Sequence, residues 1–432
     1  MNDTTNIKRQ FFDSLKRGTG EAYILLKENR NIDFSDLIIK GAIKNYSYDN
    51  QSEGSRADYI YRLIKNSKQK DKIIKSVLTK LVSEKNDYYG LDQMCDLAVK
   101  FYKAGHLEAK TALYNRFEKN SLEDYEFCGQ DQLMEIDGIN GILKVAEIVG
   151  KTLFENPDDY EESWRIDYFQ KRHKSIDIYA ELKKASNKSE YIKAYYDSII
   201  KNKWTLPRRR KIKRFTYELI KESIENKRYG FLSSKRNNEL TENEVEKLAN
   251  EFLAEKDNIK KERYLRFFSS RKFPFDYKPI FLIASGKNPK KTRMVEYAVE
   301  SLKHFSAKEI RQLALEKLNT EKNPCDYLDL LVSNYQKGDY KLLTEIASRS
   351  DDYEFIHSIV FGFIDIYEAN ATKECKEPLE TIYNKMNCGL HRKDIVKILL
   401  DNKVLSDKIF AELEFDSDDS VRKLYRQNKN SR

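Results

Sequence analysis

The sequence predicts an all-α fold, and three observations carry that prediction. Apolar residues recur every three to four positions along almost the whole chain, the spacing of an amphipathic helix. Turn formers are scarce, with 15 Gly and 7 Pro in 432 residues. An all-β chain of many short strands needs far more of them. Finally, segments with period-2 alternation and βαβ units are missing, while helical segments of roughly 10–17 residues follow one another through brief connections.

Composition fits a thin, extended core. Charged residues make up 34% of the chain and hydrophobic residues 40%, while 22 Phe and 28 Tyr supply large side chains for burial. Mean hydropathy is −0.75. Stacked hairpins touch only their neighbours, so much side-chain surface stays wet. The figures exclude collagen, disulfide-stapled mini-proteins and low-complexity chains. The opening residues, Met1 to Asn6, lack the basic and apolar regions of a signal peptide. The apolar stretch from Ile356 to Ile366 is too short to span a bilayer, so no membrane partner is expected. Five scattered cysteines then read as reduced thiols of a cytoplasmic protein.

In chain order, three regions are expected: a helical-hairpin array over 1–200, a basic segment with a connecting helix over 201–240, and a second array over 241–432. Within the first, residues 94–114 read as helix, glycine turn, helix. They align without gaps to residues 327–347, sharing six of 21 positions, among them Asp96/Asp329, Leu97/Leu330, Tyr102/Tyr335 and Gly105/Gly338. Gly105, Gly230 and Gly338 stand where a helix end favours a left-handed residue. Thr241 with Glu244, and Ser306 with Glu309, have the spacing of a capping box.

Between 289 and 319 the pattern sharpens. Val295, Ala298, Leu302 and Phe305 make one stripe, and Ile310, Arg311, Ala314 and Leu318 open the next. A second apolar-Arg opening follows at Asp418-Asp419-Ser420-Val421-Arg422. On these residues the chain resembles the HEAT-like α-solenoid repeat family, most closely over 275–348 and the C-terminal tail. The resemblance implies stacked helical hairpins and no particular activity.

Motifs with chemistry are few. The histidines are His106, His173, His304, His357 and His391, none paired at i,i+4, and no HExxH or CxxC occurs. Cys375, Cys388 and His391 form a loose series without a fourth zinc ligand, so no metal and no cofactor are expected. Ser285-Gly286-Lys287 lacks P-loop spacing, and Gly138-Ile139-Asn140-Gly141 reads as a helix-joining turn. The run Asp158-Asp159-Tyr160-Glu161-Glu162 reads as a solvated helix start. Asp276-Tyr277-Lys278 has half of a nuclease-like acid-x-Lys pattern.

The basic stretch stands apart. Lys201, Lys203, Arg208, Arg209, Arg210, Lys211, Lys213 and Arg214 put eight cations in 14 residues around Trp204. Pro207 suits the first turn of a following helix with the stripe Ile212, Phe215, Leu219. Cations at such a start each cost about 0.3–1 kcal/mol, a sign an anionic partner would reverse. Residues 201–294 hold 26 Lys+Arg against 12 Asp+Glu, a net +14 within a chain of +9. These nine residues, Trp204 included, are the candidate partner- or polyanion-binding site.

Two functions fit. One is a non-enzymatic helical-repeat scaffold that binds another protein. The other is a nucleic-acid-binding HEAT-like protein, of which a DNA glycosylase is a sub-case, using 201–294 to follow phosphates.

Overall fold

The computed structural model describes residues 3–83, 87–119, 128–203, 215–226, 232, 238–286 and 293–430. Among them are 26 α-helices, short 3₁₀ turns and no strand. The all-α expectation therefore holds. No described helix is long and apolar enough to cross a membrane. The chain packs as two units: residues 1–210 with 387–389 and 408–432, and residues 211–386 with 390–407.

In the first unit, helices close in sequence pack on one another through a continuous apolar core. Phe11 stacks on Phe34 at 4.3 Å, and Leu63, Leu97, Phe101 and Phe117 are fully buried. Polar side chains stitch that core where helix ends meet. Gln93 is buried and donates from Nε2 to the carbonyls of Gly41 and Ala42, both at 2.9 Å. Buried Arg56 donates to the Lys16 carbonyl at 2.7 Å and the Asn387 carbonyl at 2.8 Å. Residues 408–432 join the N-terminal helices: Tyr23 stacks on Phe415 at 4.1 Å, and Ser417 N–H donates to the Gly18 carbonyl at 2.8 Å. A β-carbon at Gly20 would lie 1.9 Å from the Glu412 carbonyl oxygen, so that approach needs a glycine.

The second unit has an aromatic core, with Phe252, Phe267, Phe268 and Phe273 meeting edge to face. The Thr241–Glu244 capping box forms and starts the Glu242–Ala254 helix. The second expected box does not. Ala307, not Ser306, caps the Lys308–Thr320 helix, and Glu309 instead accepts from the Tyr277 hydroxyl at 2.5 Å. The repeat-like stripe is buried as expected at Ala298, Leu302, Ile310, Ala314 and Leu318. Gly105 and Gly338 are left-handed, with φ of 100° and 99°. Gly230 lies outside the described residues.

Candidate interaction surface

Of the basic stretch, the structure describes Lys201 and Lys203. Both are exposed, at and just past the end of the Glu190–Lys201 helix. Trp204, Arg208, Arg209, Arg210, Lys211, Lys213 and Arg214 lie outside the described residues. Pro207 and Ile212 of the expected helix also lie outside them, and Leu219 belongs to the described helix Tyr217–Glu225. Its first residue is Tyr217, Thr216 caps it by accepting from Leu219 N–H, and Glu218 occupies the first turn. An acid complements the dipole there. Phe215 is buried as the stripe predicted.

Immediately before Lys201 the chain builds a groove that the sequence did not announce. Its walls are the ends of the Ile139–Glu155 and Glu190–Lys201 helices and the connection at 156–163. The two helices approach closely at Gly150, where a β-carbon would lie 2.0 Å from the Tyr191 carbonyl oxygen. Tyr195 fills the space beneath with 1% exposure. One turn on, Phe154 rests edge-on against Tyr191 at 5.6 Å.

The connection is pinned to the second wall. Ser198 Oγ accepts from Glu161 N–H at 2.8 Å and donates to its carbonyl at 3.2 Å. Ser163 N–H donates to the Asn202 carbonyl at 3.3 Å. Glu161 is thus not the solvated acid expected. Burial raises its carboxyl's pKa, opposed by Arg165, which pairs with it at 3.2 Å and with Asp131 at 3.2 Å.

What remains is an open groove of about 580 Å³ lined by Phe154, Asp158, Asp159, Tyr160, Asp197 and Lys201 among others. Phe154 is 50% exposed and Tyr160 65%. Asp158 and Asp159 are exposed, as the sequence suggested. Asp197 pairs along its own helix with Lys193.

Asp276 and Gly138 take structural places. Asp276 accepts from Lys278 N–H at 2.8 Å and so serves the start of the Lys278–Ala284 helix. Gly138 joins the Gln130–Asp137 and Ile139–Glu155 helices, as expected. Cys375 sits at the cap of the Lys376–Tyr383 helix. His391 meets His357 edge to face at 4.7 Å, with the Phe361 ring 4.5 Å from His391.

A half-buried carboxyl pair went unnoticed in the sequence. Asp92 and Asp96, one turn apart on the Tyr88–Lys103 helix, share Gln132 Nε2 at 3.4 and 2.6 Å. Burial, and then the neighbouring Asp96, push Asp92 up to about 6. The i,i+4 spacing of two acids was the available signal. The shared amide gives the pair a structural role, fastening the Gln130–Asp137 helix to its neighbour. No family model matches the sequence, and comparison with curated proteins finds no match.

Proposed function

We propose that the protein is a non-enzymatic, HEAT-like helical-repeat scaffold of the α-solenoid type, and that the groove beside Lys201 is part of its contact with a protein partner. Packing between helices near in sequence supports the repeat reading. The observation that carries the function is the groove itself. Its connection is pinned by Ser198 Oγ and the Asn202 carbonyl, and it presents two exposed aromatic rings, the side chains that dominate protein–protein contacts.

The test compares partners that co-purify with the wild-type chain and with the double variant Phe154→Ser, Tyr160→Ser. A specific partner lost from the variant supports the reading. An unchanged set of partners overturns it.

Nucleic-acid binding is the second reading, favoured by the +14 concentrated in residues 201–294. It predicts an affinity for single- or double-stranded DNA or RNA that falls steeply with salt. Reversing Arg208, Arg209 and Arg210 to Glu should then abolish binding. Affinity that is flat with salt would remove this reading.

A further inference from the structure

We infer that the groove between the ends of the Ile139–Glu155 and Glu190–Lys201 helices takes a basic segment of the partner, an extended peptide carrying arginine or lysine beside an apolar residue. The inference rests on the protein-partner reading and names the chemistry of what is bound.

Charge selects the occupant. Among the described lining side chains three are aspartates and one, Lys201, is a lysine. Among the described residues neither Asp158 nor Asp159 has a cation within 4.0 Å, whereas Asp197 already pairs with Lys193. Two exposed carboxylates therefore face solvent at the mouth, and a phosphate backbone entering there would meet like charge. A guanidinium would meet two acceptors suited to its fork.

The rings point the same way. Phe154 and Tyr160 are half or more exposed and flank the acids in sequence. Arginine and lysine bind over aromatic faces, a contact that strengthens when water is excluded. An apolar neighbour on the peptide would cover the remaining ring surface.

Rigidity is the third element. Ser198 clamps both backbone groups of Glu161, and Asn202 accepts from Ser163. The acids and Tyr160 are thus presented by a fixed connection, which lowers the ordering cost of binding. That carboxylate-and-ring arrangement fits a peptide better than a small molecule, because the groove is open to solvent.

The test uses a short, fluorescently labelled peptide of alternating arginine and leucine, followed by anisotropy against the full chain. The expected result is saturable binding that weakens about tenfold in Asp158→Asn, Asp159→Asn. It should weaken similarly in Tyr160→Ala. A charge-matched control elsewhere on the same unit, Glu28→Gln with Asp71→Asn, should leave it unchanged. All substituted side chains are exposed, and thermal unfolding of each variant checks the fold.

Equal loss in the control would overturn the inference, since the groove would then add nothing to overall charge. So would indifference to the groove substitutions. Concentration-dependent self-association that these substitutions abolish, without competition by the peptide, would assign the groove to a second copy and likewise overturn it. If a native partner is lost with Phe154→Ser, Tyr160→Ser while the peptide fails to bind, the scaffold reading stands and this inference falls.

Discussion

Residues 94–114 and 327–347 share a sequence signature and fold differently. In the first, Tyr88–Lys103 is one continuous helix that reaches the Gly105 turn. In the second, a four-residue helix, Cys325–Leu328, passes into a 3₁₀ turn at Asp329–Leu331 and irregular backbone before Gly338. Among the aligned positions that differ is Phe101 against Asn334. Phe101 is wholly buried and extends the apolar stripe. Asn334 instead takes over backbone groups: Nδ2 donates to the carbonyls of Phe305 and Leu330 at 2.8 Å, and Oδ1 accepts from Ala307 N–H at 2.9 Å. Arg311 completes the network, donating to the Asn334 carbonyl and to both oxygens of Asp339, each at 2.7 Å. One hairpin is held by packing and the other by a polar knot. Asparagine competes for backbone partners in a way phenylalanine cannot.

Exchanging those residues is the strongest way to break the comparison. Phe101→Asn places an amide in an apolar site and should cost about 3–5 kcal/mol. Asn334→Phe strips three backbone groups, one of them in a buried hydrogen bond, of their partner and should cost about 2–4 kcal/mol. Urea unfolding, with hydrogen exchange resolving the two units, measures both. A loss under about 1 kcal/mol for either would refute the assigned role.

The paired aspartates sharpen the contrast next. Burial pushes Asp329 up to about 7, against the opposing charge of Lys303 and with Asp365 and Glu300 adding to the rise. Its unfolded value is about 4. Between those limits the unfolded state holds fewer protons, so the contribution of Asp329 to stability falls as pH rises. Asp329→Asn should therefore stabilise the second unit by on the order of 1–3 kcal/mol at pH 8 and little at pH 4. Thermal unfolding at the two pH values reads the difference. In Asp96 burial also raises the carboxyl's pKa, but its hydrogen bond from Gln132 opposes the shift. Asp96→Asn should give a smaller gain at pH 8.

The smallest effect is a shared one. Both hairpin glycines are left-handed, and no atom lies within 4 Å of where a β-carbon would stand. Gly105→Ala and Gly338→Ala should each cost about 1–2 kcal/mol through backbone conformation alone. Unequal melting shifts, after allowing for the hydrogen bond from Gly338 N–H to Glu374 at 2.9 Å, would show that the turns differ beyond their dihedrals.

Much of the architecture was legible. The helices, the left-handed turns at Gly105 and Gly338 and the Thr241 capping box all follow from local patterns. The Ser306 box failed because Tyr277, about thirty residues away, claims the Glu309 carboxylate. The candidate site was legible at its edge alone. Lys201 was named as a cation and Tyr160 within an acidic run, yet Phe154 was not named, since it is unremarkable until Gly150 lets two helices meet. Asp158 and Asp159 read the same whether or not they border a groove.

The sequence by itself determined that the chain is helical, where several helices cap and turn, and which faces are apolar, because periodicity, capping and glycine conformation act within a few residues. Only the tertiary structure decided which helices adjoin, that residues 408–432 pack with the N-terminal helices, and that a pinned connection presents acids beside exposed rings. Those outcomes depend on close contacts between residues tens to hundreds of positions apart, and no local pattern encodes which of many apolar faces will meet.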